Sequence, residues 1–212
     1  MSSDGSAASP GPGAQPATGG RPSAVQPEVK LERRVPPFYG LFFYGFLFSV
    51  AWVWTTGLGM SARQLWMPRN LALEIAVGLG AGLVLVVVTP WATAGLRSLR
   101  ELEREFGWIL GQQRAWECVY LAILSGVAEE FFFRGAMLHA MKPWMALVVF
   151  ACLHWPINAQ WRAWPFTALL AGTVLTAEQM WTGTLIAPTL THVMANAVNM
   201  LRITRKYREW KE

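Results

Sequence analysis

Long uninterrupted apolar runs set the pattern of this chain, in place of the narrow stripes and strict alternation of soluble domains. The first run, about Phe38 to Leu58, carries no charge and meets the roughly 20 residues that a bilayer crossing takes. Pro36 and Pro37 mark its start, and Lys30, Arg33 and Arg34 flank it. The second extends from about Leu71 to Trp91. Glu74 falls in its first turn, where a carboxylate gains from the helix dipole and reaches the interface, and no function is assigned to it. Gly78, Gly80 and Gly82 offer smooth faces for close helix packing.

From Thr93 to Arg114 the pattern changes. Leu96, Leu99, Leu102, Phe106, Ile109 and Leu110 recur at helical spacing, with Arg97, Arg100, Glu101, Arg104 and Glu105 between them. This predicts an amphipathic helix, lying on the membrane surface or packed on the next span. A third apolar run, about Ala115 to Met141, holds charges within it and stops at Lys142-Pro143. A short fourth covers about Trp144 to Ile157, and a fifth about Trp164 to Trp181. After the turn at Thr182-Gly183, a sixth covers about Thr184 to Leu201, with Pro188 as an expected kink.

The fold class expected is therefore all-α: a polytopic transmembrane helical bundle of about six spans plus an amphipathic interfacial helix. Its parts are a disordered Gly/Pro/Ser/Ala-rich tail over 1–35 and two transmembrane helices with the amphipathic linker over 36–114. A motif-bearing core over 115–201 and a basic cytoplasmic tail over 202–212 follow. The opening residues lack the apolar stretch of a cleavable signal peptide.

Composition sharpens this. Of 212 residues, 53% are hydrophobic and only 15% charged, against about a quarter charged in soluble domains. Twelve Trp fit a chain with two membrane–water interfaces. The net charge of +5 does not point to nucleic acid, because the cations sit between apolar runs. With six spans, Arg21, Lys30, Arg33, Arg34, Arg97, Arg100, Arg104, Arg114, Arg162 and the C-terminal cations share one side. Arg63, Arg69 and Lys142 occupy the other. That asymmetry predicts an integral protein of the plasma (inner) membrane with both termini cytoplasmic. Cys118 and Cys152 lack ligand spacing and are expected to be small packing residues.

Chemistry concentrates in three places. Ser125-Gly-Val-Ala-Glu129-Glu130-Phe-Phe-Phe-Arg134-Gly135 puts two acids and an arginine into an apolar helix. Each such charge costs roughly 2.5–3.5 kcal/mol at the bilayer centre, which asks for partners or a function. Glu130 and Arg134, four apart, share a helix face and can pair; Glu129 points about 100° away and is left over. Phe150-Ala-Cys-Leu-His154 follows on the next run, and His192-Val-Met-Ala-Asn196 on the last. Taken singly, a buried histidine is more often a bonded core residue, and His139, Asn158, Glu178 and Asn199 are assigned to structure or surface. Convergent polar groups inside a helical bundle are another matter, since membrane chemistry is built there.

The series Glu129-Glu130-x-x-x-Arg134, Phe150-x-x-x-His154 and His192-x-x-x-Asn196 resembles the three motifs of the CAAX protease and bacteriocin-processing family of intramembrane endopeptidases, which includes the type II CAAX prenyl protease. The resemblance covers about Ala115 to Leu201. It implies that Glu129, helped by His154, activates water, and that His192 and Asn196 hold the scissile carbonyl and its oxyanion. Glu130 and Arg134 are implied to be a structural ion pair. The implied substrate is a membrane-associated protein or peptide, lipidated or not, cut near the bilayer in a C-terminal or sorting-signal segment. No cofactor is expected. The metal question stays open: if zinc were held, Glu129, His154 and His192 would be its ligands. There is, however, no His-Glu-x-x-His, and only His192 with Asn196 has i, i+4 ligand spacing. A non-catalytic scaffold or immunity protein, and a proton-coupled transporter using Glu129 and the histidines as a relay, remain the competing readings.

Overall fold

The computed structural model describes residues 34–156 and 158–208. Most of the N-terminal tail expected over 1–35, and the last residues of the basic tail, lie outside them. Among the described residues every regular element is helical. Helix α1 (Pro37–Gly57) begins with Pro37 in its first turn, where the missing N–H costs nothing. Helix α2 (Ala62–Trp66) is a short turn that hydropathy did not reveal, held by a capping box between Ser61 and Gln64. Helix α3 (Leu71–Gly95) is capped by Asn70 and runs on through Pro90 beyond the end of its apolar run.

Helices α1 and α3 are long and apolar enough to cross a membrane. Much of their surface is exposed apolar side chain, such as Phe42 and Phe46 on α1 and Leu83 and Val87 on α3, which water would penalise and lipid would not. Helix α4 (Arg97–Leu110) is the expected amphipathic helix, and it packs on the last helix instead of the following one. Its Glu103, 7% exposed, accepts hydrogen bonds from Arg202 (3.0 Å), Lys206 and Tyr207. The Glu103 bond pushes the Lys206 ammonium above its ordinary pKa.

Helix α5 (Ala115–Glu130) continues into a π-helical segment, Phe131–Met137, and a last turn α6 (Leu138–Ala140). Helix α7 (Pro143–Leu153) has 11 residues and thus spans only about 16 Å, about half of a hydrocarbon core. A 3₁₀ turn (Ala159–Trp161), α8 (Trp164–Thr182) and α9 (Ile186–Tyr207) complete the chain. The αL residue Gly183 (φ 76°) ends α8, as the Thr182-Gly183 signal predicts. Pro188 does not kink α9: it is the third helical residue, in a turn whose N–H groups have no intrahelical partner to lose.

Helix α9 is the axis of the bundle, packed by α3, α5, α8 and α4. Glycine lets α3 approach it. A Cβ on Gly78 would lie 2.6 Å from the Ala187 carbonyl oxygen, and one on Gly82 3.0 Å from Met194 Sδ. Gly80, on the other face of α3, meets nothing within 4 Å, so only two of the three glycines serve the contact. The contacts advance together along both helices, so α3 and α9 run in the same direction.

Two expectations change in detail. Glu74 is covered by protein instead of open to solvent: it is 1% exposed and accepts from the N–H groups of Arg69 (2.8 Å) and Asn70 (3.1 Å) and from the Thr184 hydroxyl (2.6 Å). The unpaired donors of a helix N-terminus thus hold its charge, and its role is structural. Cys118 is buried as a packing residue should be, whereas Cys152 is exposed on the short α7.

Candidate active site

The site is built where α5 meets α9. Gly126 makes the meeting close: a Cβ there would sit 2.5 Å from Val193 Cγ2. One turn further along α5 the approach brings Glu130 against His192. Glu130 is fully buried, and its Oε1 accepts from Arg134 Nη1 at 3.0 Å and from His192 Nδ1 at 2.7 Å. The pairing of Glu130 with Arg134 follows the i, i+4 spacing; the bond to His192 does not appear in any single motif.

Arg134, 2% exposed, has further partners. Its Nη2 donates to the Gly172 carbonyl oxygen at 3.1 Å, and the guanidinium lies over the Phe150 ring, 4.6 Å from the centroid. Gly172 is required for that reach, since a Cβ there would be 2.9 Å from Phe150 and 3.2 Å from Arg134 Nη2. Arg134 thus ties α8 and α7 to the charged pair. It belongs to the π-helical segment, whose wider turns displace side chains from ordinary α positions and are common at functional sites.

The His192 ring is 10% exposed along its side chain. An ionised carboxylate only accepts, so His192 Nδ1 carries the proton toward Glu130, and Nε2 is the atom left for other work. Asn196, one turn on, donates from Nδ2 to Ser125 Oγ at 3.1 Å, and Ser125 in turn donates to the Ala122 carbonyl oxygen at 3.2 Å. Glu129 is half-buried on α5 beside this group. The Tyr44 phenol of α1 lies close to Glu129 and Ser125, and Glu129 lies close to His192. Glu129, Glu130, Arg134, His192 and Asn196 therefore share one site.

His154 stands apart from them. It is the residue after the last turn of α7, where Trp155-Pro156 forces the chain out of helix. Its Nδ1 donates to the Phe150 carbonyl oxygen at 2.7 Å, and its ring packs edge-on against Trp164, centroids 5.1 Å apart. A carbonyl acceptor fixes the proton on Nδ1 and leaves Nε2 as a lone-pair acceptor. Among the described residues no hydrogen bond joins His154 to Glu129; its link to the site is Phe150, which covers Arg134. Nor do three His, Cys, Asp or Glu side chains gather as a metal-binding group among the described residues, so Glu129, His154 and His192 do not fit a zinc ion as placed.

Three residues near the site were not singled out by the sequence for it. Tyr44 has no signal, being one aromatic in an aromatic-rich run. Ser125 had one: it lies four residues before Glu129 and so shares its face. Glu178, assigned to structure or surface, is 5% exposed, and its Oε1 accepts from Thr191 Oγ1 at 2.7 Å, with Glu130 and Arg134 close enough to act on its charge.

Residues 111–198 match the family model of the type II CAAX prenyl endopeptidases, described as Rce1-like. The matched segment contains all three motifs, which bears out the resemblance they carry. The uncharacterized protein YpbD of Bacillus subtilis (strain 168) is similar, 24% identical over 159 residues, covering 75% of this chain and 77% of that protein. No solved structure matches the chain.

Proposed function

We propose that the protein is a membrane-embedded endopeptidase that hydrolyses a peptide bond close to the bilayer, in a C-terminal CAAX-like or sorting-signal segment of a membrane-associated protein or peptide. The observation that carries this reading is the gathering of Glu129, Glu130, His192 and Asn196 at one crossing of α5 and α9, inside the segment that matches the family. A scaffold has no need of a second carboxylate left without an ion pair beside a histidine whose Nε2 is open.

The chemistry follows from the positions. Glu129 takes a proton from water, and the hydroxide adds to the scissile carbonyl carbon. The oxyanion formed is met by the Asn196 amide and by His192, which donates from Nε2 as an imidazolium with Glu130 as its countercharge. Collapse breaks the C–N bond, and the proton held by Glu129 passes to the leaving amine. Glu130 then does more than pair with Arg134: it sets the tautomer and orientation of His192, as a buried carboxylate does for a catalytic imidazole. His154 assists Glu129 through Nε2 once substrate draws the end of α7 toward α5. Every step uses groups of the chain itself.

Comparative membrane proteomics of wild type and a Glu129→Ala strain tests the function: the variant should accumulate proteins with uncut C-terminal segments. Identical C-termini in the two strains would overturn it. With purified protein, a chelator arm addresses the metal: full loss of turnover, restored by zinc, would make Glu129, His154 and His192 ligands instead of base and donors.

The bilayer reading adds an orientation. In this reading the chain makes six passes, with α7 as the short one, and both termini lie in the cytoplasm of a cell whose plasma (inner) membrane holds the protein. Reporter fusions after Met67 and after Glu212 should then report opposite sides. The same side for both would remove the six-pass arrangement.

A further inference from the structure

A groove of about 560 Å³ lies between the C-terminal halves of α3 and α9, away from the candidate active site. Its walls are mostly apolar: Val86 and Pro90 on α3, Val198 and Leu201 on α9, with Asn199 beside them. Its mouth carries Arg202, Arg205 and Lys206. Because α3 and α9 run in the same direction, the valines lie toward the middle of the bundle and the cations at its end. That end is also where the amphipathic α4 packs.

Among the described residues one carboxylate faces the cations of the mouth. Glu103 is shared by Arg202 and Lys206, one carboxylate against two cations. Arg205 is exposed and has no ion pair among the described residues. Arg202 Nε is buried with no acceptor, a donor left open. Elsewhere on α3, Leu83 and Val87 are about half exposed.

An apolar slot opening at a cationic rim has the shape and charge of a phospholipid with an anionic headgroup. We propose that this groove binds an anionic phospholipid of the surrounding bilayer, with an acyl chain along Val86 and Val198 and the headgroup phosphate against Arg202, Arg205 and Lys206. The ligand holds the end of α3 to α9, the helix that carries His192 and Asn196. The proposal needs the apolar helices to sit in a bilayer and is independent of the peptidase reading.

Native mass spectrometry of the full chain in detergent tests it, with phosphatidylglycerol and phosphatidylcholine of the same acyl chains as probes and inorganic phosphate as competitor. Phosphatidylglycerol should be retained in preference to phosphatidylcholine. Arg205→Gln should weaken it about fivefold, the effect of one basic residue near an anionic lipid surface. The lipid-free melting temperature should not move, because Arg205 is exposed and holds no ion pair among the described residues. Val198→Trp, which fills the slot, should lower retention by occupying the acyl site. Equal retention of the two lipids, or no change in Arg205→Gln, would overturn the proposal. Displacement by millimolar inorganic phosphate alone would do so as well, by showing a phosphate site that does not need lipid.

Discussion

Glu129→Gln is expected to lower turnover by about 10²–10⁴ while expression and melting stay close to wild type. The two acids of the Glu129-Glu130 pair live in different surroundings. Glu130 is fully buried and held by two cationic or potentially cationic partners, so its loss would unseat Arg134 and His192 together. Glu129 is half-buried and enters no ion pair among the described residues; the Tyr44 phenol is its neighbour from α1. Gln keeps the shape and can still bond to Tyr44, but it cannot take a proton from water. A base is thereby removed without a structural partner being stranded. Asn196→Ala should cost about 10²–10³, the effect of losing one oxyanion donor, and the double variant should fall short of the product because the groups act on one transition state. Initial rates on a substrate recovered by the proteomic comparison, with melting curves on the same preparations, provide the check. Robust turnover by Glu129→Gln would end the glutamate-activated mechanism.

How much of this was legible in the sequence depends on distance along the chain. The Glu130–Arg134 pair was, because i, i+4 spacing on a helix fixes which side chains meet. The helical class and the placing of α1, α3, α4, α8 and α9 were, because each is a long run of one periodicity. The Glu130–His192 bond was not: it spans two helices far apart in sequence and exists because Gly126 lets α9 come close. The π-helical segment had no pattern to announce it, since Phe-Phe-Phe-Arg-Gly-Ala-Met fits an α-helix equally well. His154 shows the limit of local pattern: Trp155-Pro156 ends α7 one residue before it, and the Phe150 carbonyl takes its Nδ1 proton, neither of which its motif spacing reveals. Glu74 and Glu178 show that a buried acid is not by itself a catalytic one. Each meets a threonine hydroxyl, from Thr184 and Thr191, that lies in or just before α9 and cannot be assigned from the local sequence.

Arg134→Ala should destabilise the protein by about 3–5 kcal/mol, the cost of breaking a buried ion pair from one side. The change leaves Glu130 fully buried with His192 as its one remaining partner, and Glu130 Oε2 already lacks a donor. It also leaves the Gly172 carbonyl without the guanidinium bond and empties the space over the Phe150 ring, so α8 and α7 lose their common tie to the π-helical segment. Arg134→Lys should recover only part, because a single ammonium cannot reach Glu130 and Gly172 in the planar fork that a guanidinium provides. The double variant Glu130→Gln with Arg134→Ala separates charge from packing. If an uncompensated carboxylate causes most of the loss, removing that charge should make the double variant more stable than Arg134→Ala alone. Thermal unfolding in a fixed detergent is the measurement, with turnover recorded beside it. An Arg134→Ala protein that melts like wild type but no longer cleaves would place the guanidinium in the reaction, not in the scaffold. The site would then use Arg134, through Glu130, to control the charge on His192.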